Sequence, residues 1–326
     1  MTEIYGTLGP ACSGADVLEK MLGNGMTGVR LNLSHITLED AAPQIAALRE
    51  AEASCGVKAK LLIDMQGPEL RIPALKGPVQ LEAGDTVTLG EGGIPVPQMI
   101  EDFLKPLQEV LVDDGKLLLR VTEKLPHGAR AEVLRGGLLR GRKSIALPGS
   151  DIYPPTMTEQ DLKNISAAKK YGVTGVMQPF VRGRKDLEIV RRALDEAGCG
   201  DIRIFAKIEN MQGVSNLDEL MPECDEIVIA RGDLGNAMPL WELPGVQKRI
   251  SAKCTAAGKP FMVVTQMLMS METSPVPTRA EVSDIYNAVI DGASSVMVTG
   301  ETAVGKYPAE VIKYLANTAK EAEKDL

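Results

Sequence analysis

The chain has 326 residues, 44% of them hydrophobic but only 3% aromatic, and a net charge of −8. That length admits one large domain or a barrel with a small insert, and the aliphatic core suits parallel strands buried on both faces. The acidic balance argues against nucleic acid and anionic membranes as partners, so an anionic substrate needs a local basic site or metal ions.

The N-terminal MTEIYGTLGP has no charged segment followed by an apolar one, and no apolar run reaches membrane-spanning length, so a cytoplasmic location is expected. From there, short β-rich runs alternate with amphipathic ones. Strand IYGTL (4–8) precedes a helix over 14–23, and GVRLNLS (28–34) precedes one over 38–54. KLLIDM (60–65) has no helix after it until about 158. The stretch 72–142 instead reads as short strands with GD, DDG and RGG turns in LEAGDTVTLG, EVLVDDGKLLLRVTE and ARAEVLRGGLLR. Helix 158–170 then leads to strand 173–178, helix 185–197, strand 203–209 and helix 213–220. Strand 226–231, helix 244–257, strand 261–266, helix 279–291, strand 295–300 and helix 307–323 complete the pattern. Thr158 before Asp161 and Thr278 before Glu281 are helix start signals.

Eight β–α units predict an α/β fold, a (β/α)8 barrel over 1–71 and 143–326, with a small β-rich domain at 72–142 after strand three. An open doubly wound sheet is the alternative, but TLGPACSG after the first strand is not the glycine-rich phosphate turn such sheets carry. Because the third βα loop opens on the catalytic face of such a barrel, the insert is placed to act as a lid.

Five scattered cysteines, Cys12, Cys55, Cys199, Cys224 and Cys254, form no CxxC pair and are expected to be buried, reduced thiols. With only His35 and His127, acid–base and metal chemistry falls to carboxylates, Lys, Thr and water. Polar residues gather where barrel active sites lie, at the C-terminal ends of strands: Arg30, Asn32 and Ser34; Asp64; Lys207 and Glu209; Arg231 and Asp233; Thr265; Glu301. Any one alone reads as readily as a solvated or structural residue, but six strand ends together do not. Lys207 and Glu209, two apart on a strand, point to the same side, as a structural ion pair or as a fixed charge beside a metal. Asp233, in ARGDLG, can complete a divalent site with Glu209, since Mg²⁺ is usually held by few carboxylates plus ligand oxygens and water. GDLG reads as a tight turn entering a short helix, whose backbone N–H groups suit a carboxylate or phosphate.

LLIDMQGPELR, FAKIENMQG, VIARGDLG, FMVVTQMLMSMETSPVPTRAEVSD and VTGETAVGKYPAEVI, with TLGPA, VRLNLSH, LVDDG and KSIALPG, resemble the signature blocks of the pyruvate kinase family, in order from about residue 4 to 316. The resemblance implies phosphoryl transfer from phosphoenolpyruvate to ADP, giving pyruvate and ATP, with Mg²⁺ (or Mn²⁺) and K⁺. By the same resemblance, Lys207 neutralises the phosphoryl in flight, Arg30 contacts the phosphate, and Glu209 and Asp233 hold the divalent ion. Gly232 and Asp233 bind the substrate carboxylate, and Thr265 stands at the enolate's protonation face. Asn32, Ser34, Asp64 and the Met65 carbonyl match the K⁺ site, and Glu69 is the residue of K⁺-dependent members. Arg71 matches an arginine near the site, and Lys143 and His35 match residues near the nucleotide phosphates and ribose.

Some positions depart from the family pattern. Gln66 stands for a lysine, Pro179 for a serine, Val304 for a lysine, and the tyrosine usual near Asp40 is missing. A lost phosphate contact of the Val304 kind costs about 1.5–3 kcal/mol. The enolate and cation residues are thus better kept than the nucleotide residues. Two other readings therefore stand beside the first: a metal-dependent enolpyruvate enzyme with a different acceptor, and a non-catalytic phosphoenolpyruvate sensor. The sequence also stops before the family's further C-terminal domain, so control by a sugar phosphate is not expected and the assembly is left between monomer and dimer.

Overall fold

The computed structural model describes residues 1–34, 36–113, 115–150 and 152–326. They divide into two compact units, Met1–Gly67 with Thr156–Leu326, and Pro68–Pro155.

The first unit is a closed barrel of eight parallel strands: β1 (Glu3–Thr7), β2 (Gly28–Asn32), β3 (Lys60–Asp64), β4 (Gly175–Gln178), β5 (Arg203–Ile208), β6 (Glu226–Ala230), β7 (Phe261–Val264) and β8 (Ser295–Met297). Each strand pairs with its sequence neighbour, and β8 closes on β1. All eight expected strands form, most of them a residue or more shorter than the apolar runs. Their outward side chains join one large core with the surrounding helices, including Ile4, Val29, Leu61, Val176 and Ile204. The inward ones form a separate cluster that fills the lumen: Tyr5, Leu62, Met177, Phe205, Val228, Ala230, Met262, Val264 and Met297. Two rings dominate that lumen because two glycines make room. A side chain on Gly28 would overlap the Tyr5 ring, and one on Gly175 would come within 2.6 Å of the Phe205 ring.

Below that layer, at the N-terminal ends of the strands, the lumen turns polar. Glu3 is ion-paired with Lys60 and accepts a hydrogen bond of 2.6 Å from the Tyr5 hydroxyl. Glu226 accepts from Ser295 Oγ at 2.5 Å and pairs with Arg203 at 3.1 Å. The Arg203 guanidinium lies 4.9 Å from the centre of the Phe205 ring.

The connecting helices follow the expected order. Both start signals are closed capping boxes: Thr158 and Asp161 bond reciprocally, as do Thr278 and Glu281. Each is worth about 1 kcal/mol. Asp161 also accepts from the backbone N–H groups of Gln66 and Gly67, at 2.8 and 3.0 Å, so this cap fixes the chain just after β3. The helix expected over 213–220 is instead two short ones, Met211–Ser215 and Leu217–Leu220. Asn216 between them donates to the Arg182 carbonyl at 2.8 Å, which breaks the run. Among the described residues no helix is long and apolar enough to cross a membrane.

The second unit has its own core, around Ile72, Leu89, Val110, Leu119, Val121, Ala131 and Val133. It holds a five-stranded antiparallel sheet and a two-stranded one, Val79–Leu81 with Gly137–Leu139. It is wider than the 72–142 expected. Arg71 bridges to Ser144, and Ile145 N–H donates to the Leu70 carbonyl at 2.9 Å, so both flanks pair with each other. It also contains a short helix, Gln98–Glu101, where only strands were expected.

Four of the cysteines are buried and free, but Cys55 is exposed, contrary to expectation, because it is the last residue of helix Ala42–Cys55.

Candidate active site

The site starts from strand parity. Lys207 on β5 and Glu209 just past its end fall on the same side of the strand. Strands β2 and β3 pair with Asn32 opposite Asp64 and Arg30 opposite Leu62, which brings Arg30 and Asp64 to one end of the lumen.

Asp64, 2% exposed, is the hub. It accepts from Arg30 Nε at 2.8 Å and pairs with Arg30 Nη2 at 2.7 Å. Lys207 Nζ lies 3.2 and 3.1 Å from its two oxygens. The same ammonium is 3.0 Å from Glu209 Oε1, and the other Glu209 oxygen accepts from the Phe180 N–H at 2.8 Å. Arg30 also donates to Thr7 Oγ1 at 3.3 Å. Thr7 was missed in the sequence, although TLGPA lies at the end of β1, where the strand-end rule applied elsewhere would have found it.

Burial alone would push the Lys207 ammonium towards deprotonation, but Asp64, then Glu209, with Asp233 contributing, outweigh it and raise its pKa. Burial would raise Asp64, but Lys207 and Arg30 hold it below the usual carboxylate range. Both groups therefore stay charged at neutral pH. A permanently charged lysine cannot act as a base, but it can neutralise an anion.

The next wall comes from β6 and β7. The helix Arg231–Asn236 starts directly after β6 and carries Gly232 and Asp233 in its first turn, so the expected turn and short helix are one element. A Cβ placed on Gly232 would lie 3.1 Å from Thr265 Cγ2. Thr265 has φ +84 and Gln266 φ +56, and Phe180 beside Glu209 has φ +51. Left-handed conformation in a β-branched residue costs roughly 1–3 kcal/mol and persists only where the surroundings enforce it.

Other sequence candidates are engaged with partners of their own. Glu301 is 1% exposed and accepts from the Leu268 and Thr299 N–H groups at 3.2 and 2.7 Å, so it ties two loops together. Arg71 and Lys143 belong to the second unit. Arg71 pairs with Glu69 at 2.6 Å and donates to the Arg142 carbonyl, and Lys143 pairs with Asp113 at 2.9 Å. His35 lies outside the described residues.

The donor set suits hard cations. Among the described residues no cluster of three or more His, Cys, Asp or Glu could hold a metal, so a divalent ion there would rest on few carboxylates, as with the expected pair Glu209 and Asp233. Mg²⁺ is held in that way, with water and substrate oxygens completing its shell, and Glu209 keeps lone pairs beyond its two hydrogen bonds. Asn32, whose Oδ1 accepts from Ser34 N–H at 3.1 Å, Asp64 and the chain at Met65 offer only oxygen as well, which suits K⁺.

The chain is also similar to known proteins. Residues 1–312 match the family described as pyruvate kinase, barrel domain. A pyruvate kinase of Methylorubrum extorquens is 38% identical over 334 residues, covering 99% of this chain and 69% of the relative. Those of Bacillus licheniformis and Chlamydia trachomatis serovar D are 37% and 36% identical, with this chain covering 57% and 68% of their lengths. The chain thus spans between about half and two thirds of the curated relatives it matches.

Proposed function

The chain belongs to the pyruvate kinase family, and on that footing we propose that it transfers the phosphoryl group of phosphoenolpyruvate to ADP, giving pyruvate and ATP. The observation that carries this reading is the buried Lys207, kept charged between Asp64 and Glu209 with Arg30 on the far side of Asp64.

In the reaction the bond between phosphorus and the enol oxygen breaks, one forms to a terminal ADP oxygen, and the enolate takes a proton at its methylene carbon. Such transfers depend on positioning and charge neutralisation rather than covalent catalysis. Lys207 and Arg30 supply fixed positive charge for the phosphoryl oxygens, in a water-poor setting where it counts most. Gly232 and Asp233 present backbone N–H groups to the substrate carboxylate. Thr265 passes a proton from water to the enolate. Mg²⁺ or Mn²⁺ at Glu209 and Asp233 would neutralise phosphoryl and enolate charge, and K⁺ at Asn32, Ser34, Asp64 and Met65 would add to that neutralisation. Arg71, Lys143 and His35 belong to the nucleotide side of this reading.

Coupled pyruvate formation with phosphoenolpyruvate, ADP, Mg²⁺ and K⁺ tests it directly. Glu69→Lys should remove the K⁺ requirement, and a variant still activated by K⁺ would remove that cation from the scheme. A second reading rests on Val304, 65% exposed where the family carries a lysine. There the same enolpyruvate chemistry serves a different phosphoryl acceptor. A panel of nucleoside diphosphates and other acceptors separates the two. Calorimetric binding of phosphoenolpyruvate without any turnover would leave only the sensor.

A further inference from the structure

Arg231 was noted in the sequence as a strand-end residue but has no part in the chemistry above. It is 11% exposed. Its Nε and Nη2 both donate to the Thr265 carbonyl, at 3.1 and 2.7 Å. Nη1 pairs with Asp284 at 2.9 and 2.7 Å to its two oxygens. Nη2 also lies 2.9 Å from Met267 Sδ. The guanidinium therefore grips the one carbonyl that follows a β-branched residue at φ +84, and Asp284, from helix Arg279–Ile290, grips the guanidinium.

We propose that Arg231 and Asp284 form a clamp that holds Thr265 in its left-handed conformation and so positions the Thr265 hydroxyl for proton delivery to the enolate. The inference rests on the role given to Thr265 above. A threonine left to itself moves to φ below zero, because its branched Cβ crowds the backbone in the left-handed region. A bidentate guanidinium fixes the plane and direction of the carbonyl it binds, which a single donor does not. Gly232 completes the device. It sits beside the Thr265 methyl, and a Cβ there would lie 3.1 Å from it, so the threonine would have to give by a few tenths of an ångström. Arg231 and Asp284 are positioning residues that act through Thr265.

The clamp makes a prediction that simple structural support does not. Run backwards, proton delivery removes a methyl hydrogen from pyruvate, so the enzyme should exchange those hydrogens with D2O, read by NMR. Asp284→Asn, the milder variant, and Arg231→Met should slow the exchange by about tenfold or more while the KM for phosphoenolpyruvate moves less than about threefold. In a Thr265→Ala background neither substitution should slow it further by more than about twofold, since residues acting through one group are not additive. Full additivity in that background overturns the clamp. Crystal structures of wild type and both variants give an arm independent of turnover. Thr265 should leave the left-handed region when the clamp is cut, and an unchanged φ in both variants also overturns it. If the wild type neither forms pyruvate nor exchanges its methyl hydrogens, the catalytic reading fails, and the structural arm alone decides the clamp.

Discussion

The barrel carries ion pairs at both ends of its lumen, and the two ends are built differently. At the N-terminal end Glu3 is matched to Lys60 and Glu226 to Arg203, one acid to one base, with Tyr5 and Ser295 filling the remaining bonds. No left-handed non-glycine residue lies near them among the described residues. At the C-terminal end the pairing is shared: Asp64 takes both Arg30 and Lys207, and Lys207 also meets Glu209. There the chain also places Phe180, Thr265 and Gln266 at positive φ. An ion pair at the end of the lumen is therefore poor evidence for a site, since both ends have them. Shared rather than one-to-one pairing, together with enforced backbone strain, marks the end that has work to do.

The largest effect that would sharpen this contrast is on turnover. Lys207→Met should lower kcat by about a thousandfold or more, roughly 4 kcal/mol in the barrier, with circular dichroism unchanged. A folded variant with near-wild-type turnover would break the functional half of the comparison. The opposite end should respond in stability instead. Arg203→Met leaves the buried Glu226 without its cation, and should cost about 2 kcal/mol in denaturant unfolding, a value reduced because Arg203 is partly exposed. Its kcat should stay within about threefold of wild type, and a collapse in activity would erase the distinction between the ends. Burial raises the Glu226 carboxyl pKa, so the Arg203→Met penalty should shrink as the pH falls and Glu226 takes up a proton.

Acid should act on the active end in the other direction. Asp64 is held below the usual carboxylate range, so its stabilising contribution is complete above its unfolded value and is lost as the pH falls through the folded one. From about pH 4 downwards, wild type should lose stability more steeply than Asp64→Asn, by at most about 1.4 kcal/mol per pH unit. Parallel curves would mean that the hub at Asp64 is not charged as described. The smallest effect is chemical. A thiol reagent applied to the native chain should label Cys55 alone, because burial pushes Cys12 up to about 11 and Cys224 and Cys254 up to about 12. Labelling of Cys254 before unfolding would show that the outer helical layer opens.

Much of the barrel could be read along the chain because its signals are local. Apolar runs of strand length, Thr158 with Asp161, and Thr278 with Glu281 each sit within a few residues. The site residues Arg30, Asp64, Lys207 and Glu209 were found by a positional rule, that polar side chains at the C-terminal ends of barrel strands face one opening. What could not be read depends on distant partners. The second unit runs past the expected bounds because its flanks pair, Arg71 meeting Ser144. Asn216 breaks a helix by reaching Arg182. The conformation of Thr265 carries no glycine to announce it, and the arginine that secures it lies 34 residues upstream. Glu301 looked like a site residue because the positional rule cannot tell a side chain facing the opening from one that turns back to cap loops.

The two rings in the lumen carry a consequence for how this barrel can evolve. Tyr5 and Phe205 occupy space that exists only because Gly28 and Gly175 have no side chains. Neither member of a pair can change first without overlap or a void. Drift at position 28 must wait for a smaller residue at position 5, and likewise for 175 and 205. Among descendants of this sequence the four positions should vary as two linked couples, each preserving its combined volume.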